Sequence, residues 1–248
     1  MKRVKLSLAT VAAVVAVFAM QACSSNFTDG MTVGDFYPNA LVTVKPVDAN
    51  SFYLQLDEQT TLRPMNMKGS PYGSKEVRAL VTYTEVPDDP RPYDKAVRIS
   101  WMDSILTKQT IMKAPLEETF YGNDPVEIVK DWVTVVEDGY LTLRFRTASG
   151  NNGRIHYVNL VAGQNPDNPY EVEFCHDAQG DVTGDMFDGL VAFKLDCLPD
   201  TEGKTVKLLL KWNSFSGPKQ VELDYCTRRD SHNPTTAIVD QLPTLKLK

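Results

Sequence analysis

The clearest pattern in this sequence is the alternation of apolar and polar residues in short runs separated by turn residues. In one such run, Phe52, Leu54 and Leu56 fall on one face of a predicted strand, and the residues between them fall on the other. Helical periodicity is almost absent. Four or five runs of this kind between residues 40 and 115 are typical of a small Greek-key barrel, so we expect the first folded segment there.

A second series of alternating runs occupies residues 116–227. Asp138-Gly139 separates two of them, and this dipeptide favours the tight, positive-φ turn of a β-hairpin. Seven runs in about 110 residues, each bounded by turn residues, indicate an antiparallel β-sandwich of two sheets. Residues 228–248 lack periodicity and are expected to form an extended C-terminal tail. The pattern as a whole predicts an all-β protein in which a barrel is followed by a sandwich.

The N-terminus differs from the rest of the chain because it is almost entirely apolar. Three basic residues precede an uncharged run at 6–20, which is shorter than the roughly 20 residues of a membrane-spanning helix and has the length of a signal peptide. Met-Gln-Ala before Cys23 is a relaxed form of the sequence that precedes the lipidated cysteine of bacterial lipoproteins. We therefore interpret residues 1–22 as a lipoprotein signal peptide, Cys23 as the lipidated first residue and residues 23–39 as a tether. Ordinary secretion, with Cys23 as an unused thiol, is the alternative.

Charge narrows the range of partners. The chain carries 26 basic and 32 acidic residues, a formal net charge of −6, and removal of the three basic residues in 1–22 takes it to −9. Phosphate backbones and anionic lipid headgroups both require a cationic surface, so we expect no nucleic acid as a partner and no electrostatic membrane docking. Membrane attachment would then depend on the acyl chains at Cys23, in a cell envelope where the protein is expected to be an outer-membrane lipoprotein.

Three further cysteines follow Cys23, and none forms a C-x-x-C motif. An envelope location permits a disulfide bond among them. Strand parity favours Cys175 with Cys226, whereas the strand order of an antiparallel chain brings Cys197 and Cys226 to the same end of the sandwich. We expect Cys197 and Cys226 to pair if a bond forms, because opposite ends of a sandwich are too far apart for a disulfide.

Candidate chemistry is sparse. The chain has no G-x-S-x-G, H-E-x-x-H or P-loop motif, and no cofactor is indicated. His156 is expected at a solvated or edge position, and His176 cannot pair with Cys175 because neighbours in a strand face opposite ways. One Gly-bearing loop supplies weak candidates for calcium ligands, with a plain acidic connection between strands as the alternative. These candidates are Asp177, Asp181, Asp185 and Asp188.

Several stretches of the second segment resemble the NigD-like lipoproteins of Bacteroidota. They are "YGNDPVEIVKDWVTV", "GYLTLRFRT", "IHYVNLV", "EFCHDAQGD" and "GLVAFKLDCL". The resemblance covers nearly the whole mature chain and implies an N-terminal OB-type barrel and a C-terminal β-sandwich, in agreement with the alternation. It implies no catalytic residues, because the family has no established activity, and it associates the chain with bacteriocin systems.

Together these observations predict a non-enzymatic, lipid-anchored envelope protein that acts by binding. A protein partner is favoured over a glycan, and protection against a bacteriocin is one form of that role. OB-type barrels bind ligands across faces such as those of Phe52 and Tyr53, although aromatic residues in strands more often belong to the core. The competing class is an enzyme that acts on envelope polymers with two carboxylates assembled from distant strands.

Overall fold

The computed structural model describes residues 37–113 and 119–228, and the regular structure in these ranges consists of β-strands. The prediction of an all-β protein is therefore confirmed. Within the same ranges, no helix is long and apolar enough to cross a membrane. The predicted signal peptide, the lipidated Cys23, most of the tether and nearly all of the predicted tail lie outside the described residues.

The first five strands close into a barrel with the order β1-β2-β3-β5-β4. Neighbouring strands are antiparallel, except that β3 and β5 run parallel. Alternate residues point into the barrel, so that Val42, Val44 and Leu54 are fully buried in its core. A closed five-stranded barrel of this kind is the OB-type fold that the resemblance implied. The strands are β1 (Ala40–Asp48), β2 (Ser51–Gln55), β3 (Thr61–Pro64), β4 (Val77–Glu85) and β5 (Lys95–Ser104).

The later strands form a sandwich of two sheets. The first sheet has the order β6-β13-β10-β8, with β9 also paired to β10, and the second has the order β15-β14-β12-β11-β7. Their inner faces meet in one core, to which Leu143 and Phe193 contribute from the first sheet and Leu160 and Leu210 from the second. The strands are β6 (Leu106–Gln109), β7 (Ile111–Met112), β8 (Glu127–Ile128), β9 (Val135–Glu137), β10 (Tyr140–Ser149), β11 (Tyr157–Ala162), β12 (Glu171–Asp177), β13 (Asp185–Lys194), β14 (Val206–Ser214) and β15 (Gly217–Tyr225).

The pairing of the sandwich strands confirms one local prediction and corrects another. The hairpin at Asp138-Gly139 is confirmed, because β9 and β10 pair antiparallel and the two turn residues have φ values of 48° and 73°. The sandwich is not wholly antiparallel, since β6 runs parallel to β13, β7 to β11 and β12 to β14. Parallel neighbours arise where the chain leaves one sheet, adds a strand to the other and returns, as it does from β12 through β13 to β14.

The stretch from residue 106 to residue 112 joins the sandwich, although the sequence analysis placed it at the end of the barrel segment. β6 extends the first sandwich sheet and β7 extends the second, with only Thr110 between them. The last barrel strand ends at Ser104. Alternation of apolar and polar residues identifies such short strands but does not show which sheet each strand joins.

The barrel docks on the outer face of the first sandwich sheet, and we call this contact the junction. Residues 40–45 of β1 are all buried, because one face of the strand lines the barrel and the other meets the sandwich. Leu41 of the barrel and Tyr140 and Ala192 of the sandwich form the apolar part of this contact. The barrel and the sandwich accordingly belong to one compact unit.

Charged side chains are buried at the junction and are paired across it. The Arg78 guanidinium is fully buried on β4, lies 3.3 Å from the Glu137 carboxylate and donates to the Thr43 hydroxyl at 3.1 Å. Lys45 Nζ lies 2.9 Å from Asp138 Oδ1. Burial raises the pKa of the Glu137 carboxyl more than the charge of Arg78 lowers it. The hairpin that the sequence predicted therefore supplies the carboxylates for the barrel's two buried cations.

The chain returns to the junction at Arg228, the last described residue. Its guanidinium lies 3.0 Å from Asp138 Oδ1 and 2.7 Å from Glu76 Oε1, and Tyr140 donates to the same Glu76 oxygen at 2.6 Å. Burial disfavours the charge on Arg228, but the hydrogen bond to Glu76 and the charge of Asp138 outweigh it, so the pKa of the guanidinium is raised. Arg228 thus connects the end of the sandwich to a barrel residue.

We expect Arg78→Ala to lower the free energy of unfolding by about 3–5 kcal/mol, because it leaves the Glu137 carboxylate without its partner and opens a cavity. Urea denaturation followed by circular dichroism measures this loss. Arg91→Ala is the matched control: Arg91 pairs with Asp89 at 2.6 Å, but its side chain is 85% exposed, so we expect little or no loss. Equal losses in the two variants would show that breaking the buried pair costs no more than breaking an exposed one.

Candidate functional site

A cleft crosses the surface of the barrel between the β1–β2 turn and the loop that joins β4 to β5. Its volume is about 340 Å³. The walls come from the start of β2, from the end of β3 with the residues after it, and from the β4–β5 loop. We call this the barrel cleft, and it is lined by residues 50–52, 63–65, 67–68 and 91–93.

Arg63 fixes the loop that forms one wall of the barrel cleft. Its Nη1 donates to the backbone carbonyl oxygens of Asp89 at 3.1 Å and Arg91 at 3.0 Å. Arg91 in turn makes a bidentate pair with the Asp89 carboxylate. Where the loop ends, the Asp94 carboxylate accepts hydrogen bonds from the backbone and hydroxyl of Thr61. The loop is therefore tied to β3 at two points, so the barrel cleft is largely preformed.

The two aromatic residues that the sequence analysis considered as ligand contacts lie on opposite faces of β2. Phe52 is buried in the barrel core, and it also contributes to the lining of the barrel cleft. Tyr53 is outside the barrel, where its ring stacks on that of Tyr93 with centroids 5.0 Å apart, and Lys45 Nζ lies 5.9 Å from the Tyr53 centroid. Alternation in the sequence indicated the opposite faces, but nothing in it indicated Tyr93 as a partner, because Tyr93 is a loop residue.

A second cleft, about 500 Å³ in volume, lies along β14 and β15 and is called the sandwich cleft. Its lining contains one carboxylate, that of Glu173, and two cations, Lys211 and Lys219. The lining of the barrel cleft contains no Asp or Glu. Neither of these two clefts therefore presents the pair of carboxylates that glycoside hydrolysis commonly requires.

The structure brings together two histidines that the sequence analysis treated separately. His156 Nδ1 lies 3.0 Å from His176 Nε2, and His156 Nε2 lies 3.2 Å from Asp181 Oδ2. His176 is opposite Val158 in the pairing of β11 with β12, which brings it close to the residue that precedes β11. Of the solvated or edge position expected for His156, the solvated alternative is wrong, because the His156 side chain packs against these partners and is only 17% exposed.

Asp181 is the centre of this group, which we call the histidine network. Its carboxylate accepts hydrogen bonds from the Ser149 hydroxyl, the Gly150 backbone N–H and the Asn152 side chain. These donors, the Ser149 hydroxyl foremost, hold the pKa of the Asp181 carboxyl at about 2. Because Ser149 donates to a carboxylate and not to a histidine, the network does not contain the activated serine of a catalytic triad. Its contacts instead fasten two loops to the end of the sandwich.

The far side of His176 is covered by residues 122–125. Asp124 N donates to the His176 carbonyl at 2.8 Å, and the Asp124 carbonyl lies 3.4 Å from His176 Nδ1. Gly122 permits this approach, because a Cβ at that position would lie 2.4 Å from the His176 carbonyl oxygen. Burial, together with the neighbouring His156, lowers the pKa of His176.

The four aspartates considered as calcium ligands do not converge in the structure. Asp181 is buried in the histidine network, and Asp188 pairs with two arginines of β10 at 2.5 and 2.6 Å. Asp177 accepts hydrogen bonds from a neighbouring glutamine, and Asp185 begins β13. Across residues 37–113 and 119–228, no group of three or more His, Cys, Asp or Glu is arranged to hold a metal ion. Three of these four carboxylates, those of Asp177, Asp181 and Asp188, already accept hydrogen bonds from protein donors.

The three cysteines in the described ranges are free thiols. Thr201, which closely follows Cys197 in the chain, donates from its hydroxyl to Cys226 Sγ at 3.6 Å, so Cys197 and Cys226 lie near the same end of the sandwich. Cys175 is buried on β12, and burial raises the pKa of its thiol to about 12. A bond between Cys197 and Cys226 stays a prediction for oxidising conditions.

The lowered pKa of His176 makes stability depend on pH. As the pH falls below about 6.5, the unfolded chain protonates this residue before the folded one does, so the free energy of unfolding should decrease. We expect a smaller decrease between pH 7.5 and pH 5.5 in His176→Gln than in the wild type, measured by urea denaturation. Arg154→Gln, an exposed neighbour outside the network, should keep the wild-type slope. Parallel curves for wild type and His176→Gln would show that burial of His176 does not disfavour its charge.

Comparison with known proteins adds to this geometry. The model of the NigD-like N-terminal OB domain matches residues 41–105, and the model of the NigD-like C-terminal β-sandwich domain matches residues 109–225. No curated protein matches the chain. The two models together span most of the sequence, and the gap between them, residues 106–108, falls within β6.

Several solved structures share the fold. A protein from Parabacteroides distasonis, inferred to be toxin-related, is 32% identical and has a TM-score of 0.63, and the match covers 76% of this chain and 92% of that one. A NigD-like immunity protein from Bacteroides caccae is 20% identical with a TM-score of 0.54, and the match covers 77% and 99% of the two chains. An inferred lipoprotein from Bacteroides fragilis is 11% identical with a TM-score of 0.51 and coverages of 76% and 99%. Because two family models cover most of the sequence and one relative exceeds 30% identity, this chain belongs to the NigD-like family.

Proposed function

We propose that this NigD-like protein is a non-enzymatic protein of the cell envelope, anchored by acyl chains on Cys23, that binds a protein partner through the barrel cleft. The observation that carries the proposal is the position of the cleft. It lies at β2 and β3 between the β1–β2 and β4–β5 loops, the surface across which OB-type barrels bind their ligands. The sandwich docks on β1 and β4, so it leaves that surface open.

The linings of the two clefts support binding over catalysis. An enzyme that cleaves envelope polymers would commonly need two carboxylates on opposite sides of the bond. The barrel cleft lining has none, and the sandwich cleft lining has Glu173 alone. The histidine network has an acid and two bases, but its serine is bound to the acid. Each of these sites is better explained by recognition or by stability than by turnover.

The relatives support a protein partner. The Parabacteroides distasonis relative, inferred to be toxin-related, matches along 76% of this chain at 32% identity. A protein partner would need a binding surface, and the preformed barrel cleft provides one in this chain. Protection of the cell against a bacteriocin is the specific form of this role that we favour.

The anchor is tested by replacing its attachment point. Cys23→Ser should release the protein from the membrane fraction or leave it unprocessed, because acyl chains are then absent. Cys226→Ser is the matched control and should remain in the membrane fraction. Ultracentrifugation of envelope preparations and mass spectrometry of the N-terminal peptide provide the measurements. Intact residues 1–22 on mature wild-type protein would contradict the anchor.

Binding is tested by photo-crosslinking in intact cells. A photoreactive phenylalanine analogue replaces Met65, which lines the barrel cleft and is 38% exposed, or Phe215, which is 47% exposed on the sandwich. We expect a discrete, protease-sensitive adduct from position 65 and none of that size from position 215. An adduct that resists protease but is degraded by periodate would identify a glycan ligand instead. The same adduct from both positions, or none from position 65, would contradict the barrel cleft as the binding surface.

A further inference from the structure

We infer that the barrel cleft recognises an acidic peptide segment that carries a bulky apolar side chain. This inference rests on the proposed function and names the chemistry of the partner. It follows from three properties of the lining: cations without carboxylates, a flexible apolar floor, and aromatic rings that are already occupied.

The first property is the Arg63 guanidinium, which forms no salt bridge among the described residues, although its charge, after the hydrogen bonds from Arg91, also lowers the pKa of the nearby Asp89 carboxyl. Its Nη1 donates to two backbone carbonyl oxygens, those of Asp89 and Arg91. Carbonyl groups fix the side chain but do not cancel its charge. The guanidinium is therefore held in place in advance, as efficient recognition of a carboxylate requires.

A second cation, Lys68, adds to the positive potential of the barrel cleft. It is exposed in the lining, and none of the ion pairs among residues 37–113 and 119–228 includes it. The third cation, Arg91, is already paired with Asp89. Asp48, at the β1–β2 turn, is not part of the cleft lining. Two cations without an ion-pair partner in the described part of the chain, Arg63 and Lys68, thus line the cleft of a protein whose formal net charge is −6.

The apolar part of the lining suits a side chain of a peptide. Met65 and Met67 contribute flexible thioether chains, and Pro64 and Pro92 contribute rigid apolar edges. Methionine adapts its shape to varied apolar partners, which is why it is frequent on peptide-binding surfaces. A leucine or phenylalanine flanked by acidic residues would place its apolar group on the methionines and its carboxylates near Arg63 and Lys68.

The aromatic rings argue against a sugar or a base as the occupant. Recognition of nucleic-acid bases on OB-type barrels depends on aromatic faces that are free for stacking. Here Tyr53 and Tyr93 stack on each other, and Lys45 Nζ also lies over the Tyr53 ring. A peptide needs no open aromatic platform, and the local cations Arg63 and Lys68 can bind its carboxylates.

The test uses detergent-purified full-length protein and a short fluorescent peptide with a central leucine flanked by glutamates. Fluorescence anisotropy should show this peptide to bind at least about tenfold more tightly than the same peptide with glutamines, because charge-assisted hydrogen bonds are lost. Lys68→Glu should weaken binding of the glutamate peptide by about tenfold or more. The matched control Lys204→Glu, at an exposed lysine of the sandwich, should leave binding unchanged.

The outcomes separate this inference from the proposed function. Equal affinities for the glutamate and glutamine peptides, or equal effects of Lys68→Glu and Lys204→Glu, would overturn the acidic peptide. Tighter binding of polygalacturonate or of oligothymidylate than of the glutamate peptide would overturn it in favour of an acidic glycan or a nucleic acid. If crosslinking from position 65 still captures a protein in those cases, the barrel cleft remains the binding surface and only the acidic character is wrong.

Discussion

Burial of charge at the junction is the constraint on which the arrangement of this protein depends. Arg78 and Lys45 occupy barrel positions that face away from the barrel core, and an isolated barrel would leave them in water. The sandwich buries them and must therefore supply carboxylates, which it does through Glu137 and Asp138 at one hairpin. A buried pair contributes little net stability, but breaking it is costly, so it favours this docking geometry over others.

Most of the fold could be predicted from the sequence, because it depends on the local alternation of apolar and polar residues. Leu141, Leu143 and Phe145 are all buried on one face of β10, as the pattern indicated, and the Asp138-Gly139 turn follows from the backbone preference of those residues. The sequence did not allow us to predict which strands pair with each other. Nothing local distinguishes the parallel pairing of β12 with β14 from an antiparallel one, because both bury the same alternate side chains.

The candidate sites were harder to predict from the sequence, because they depend on contacts between residues that are distant in the chain. Nothing in the sequence pattern indicates that another domain buries Arg78. His156 and His176 are 20 residues apart and meet only because β11 and β12 pair. The barrel cleft likewise combines β2, β3 and a loop that Arg63 holds through backbone carbonyls, and those carbonyls belong to no motif.

The division of the barrel strands also determines how the protein would carry mechanical load. The chain enters the barrel beside β4, where Asn39 bonds to Val81 and Tyr83, and continues into β1. The barrel cleft is at β2 and β3, the two strands that do not neighbour β4. Tension on a partner bound at the cleft would pass from β2 into β1, across a ladder of antiparallel hydrogen bonds. Because β1 also carries Lys45 of the junction, such a pull would load the buried Lys45–Asp138 pair together with that ladder.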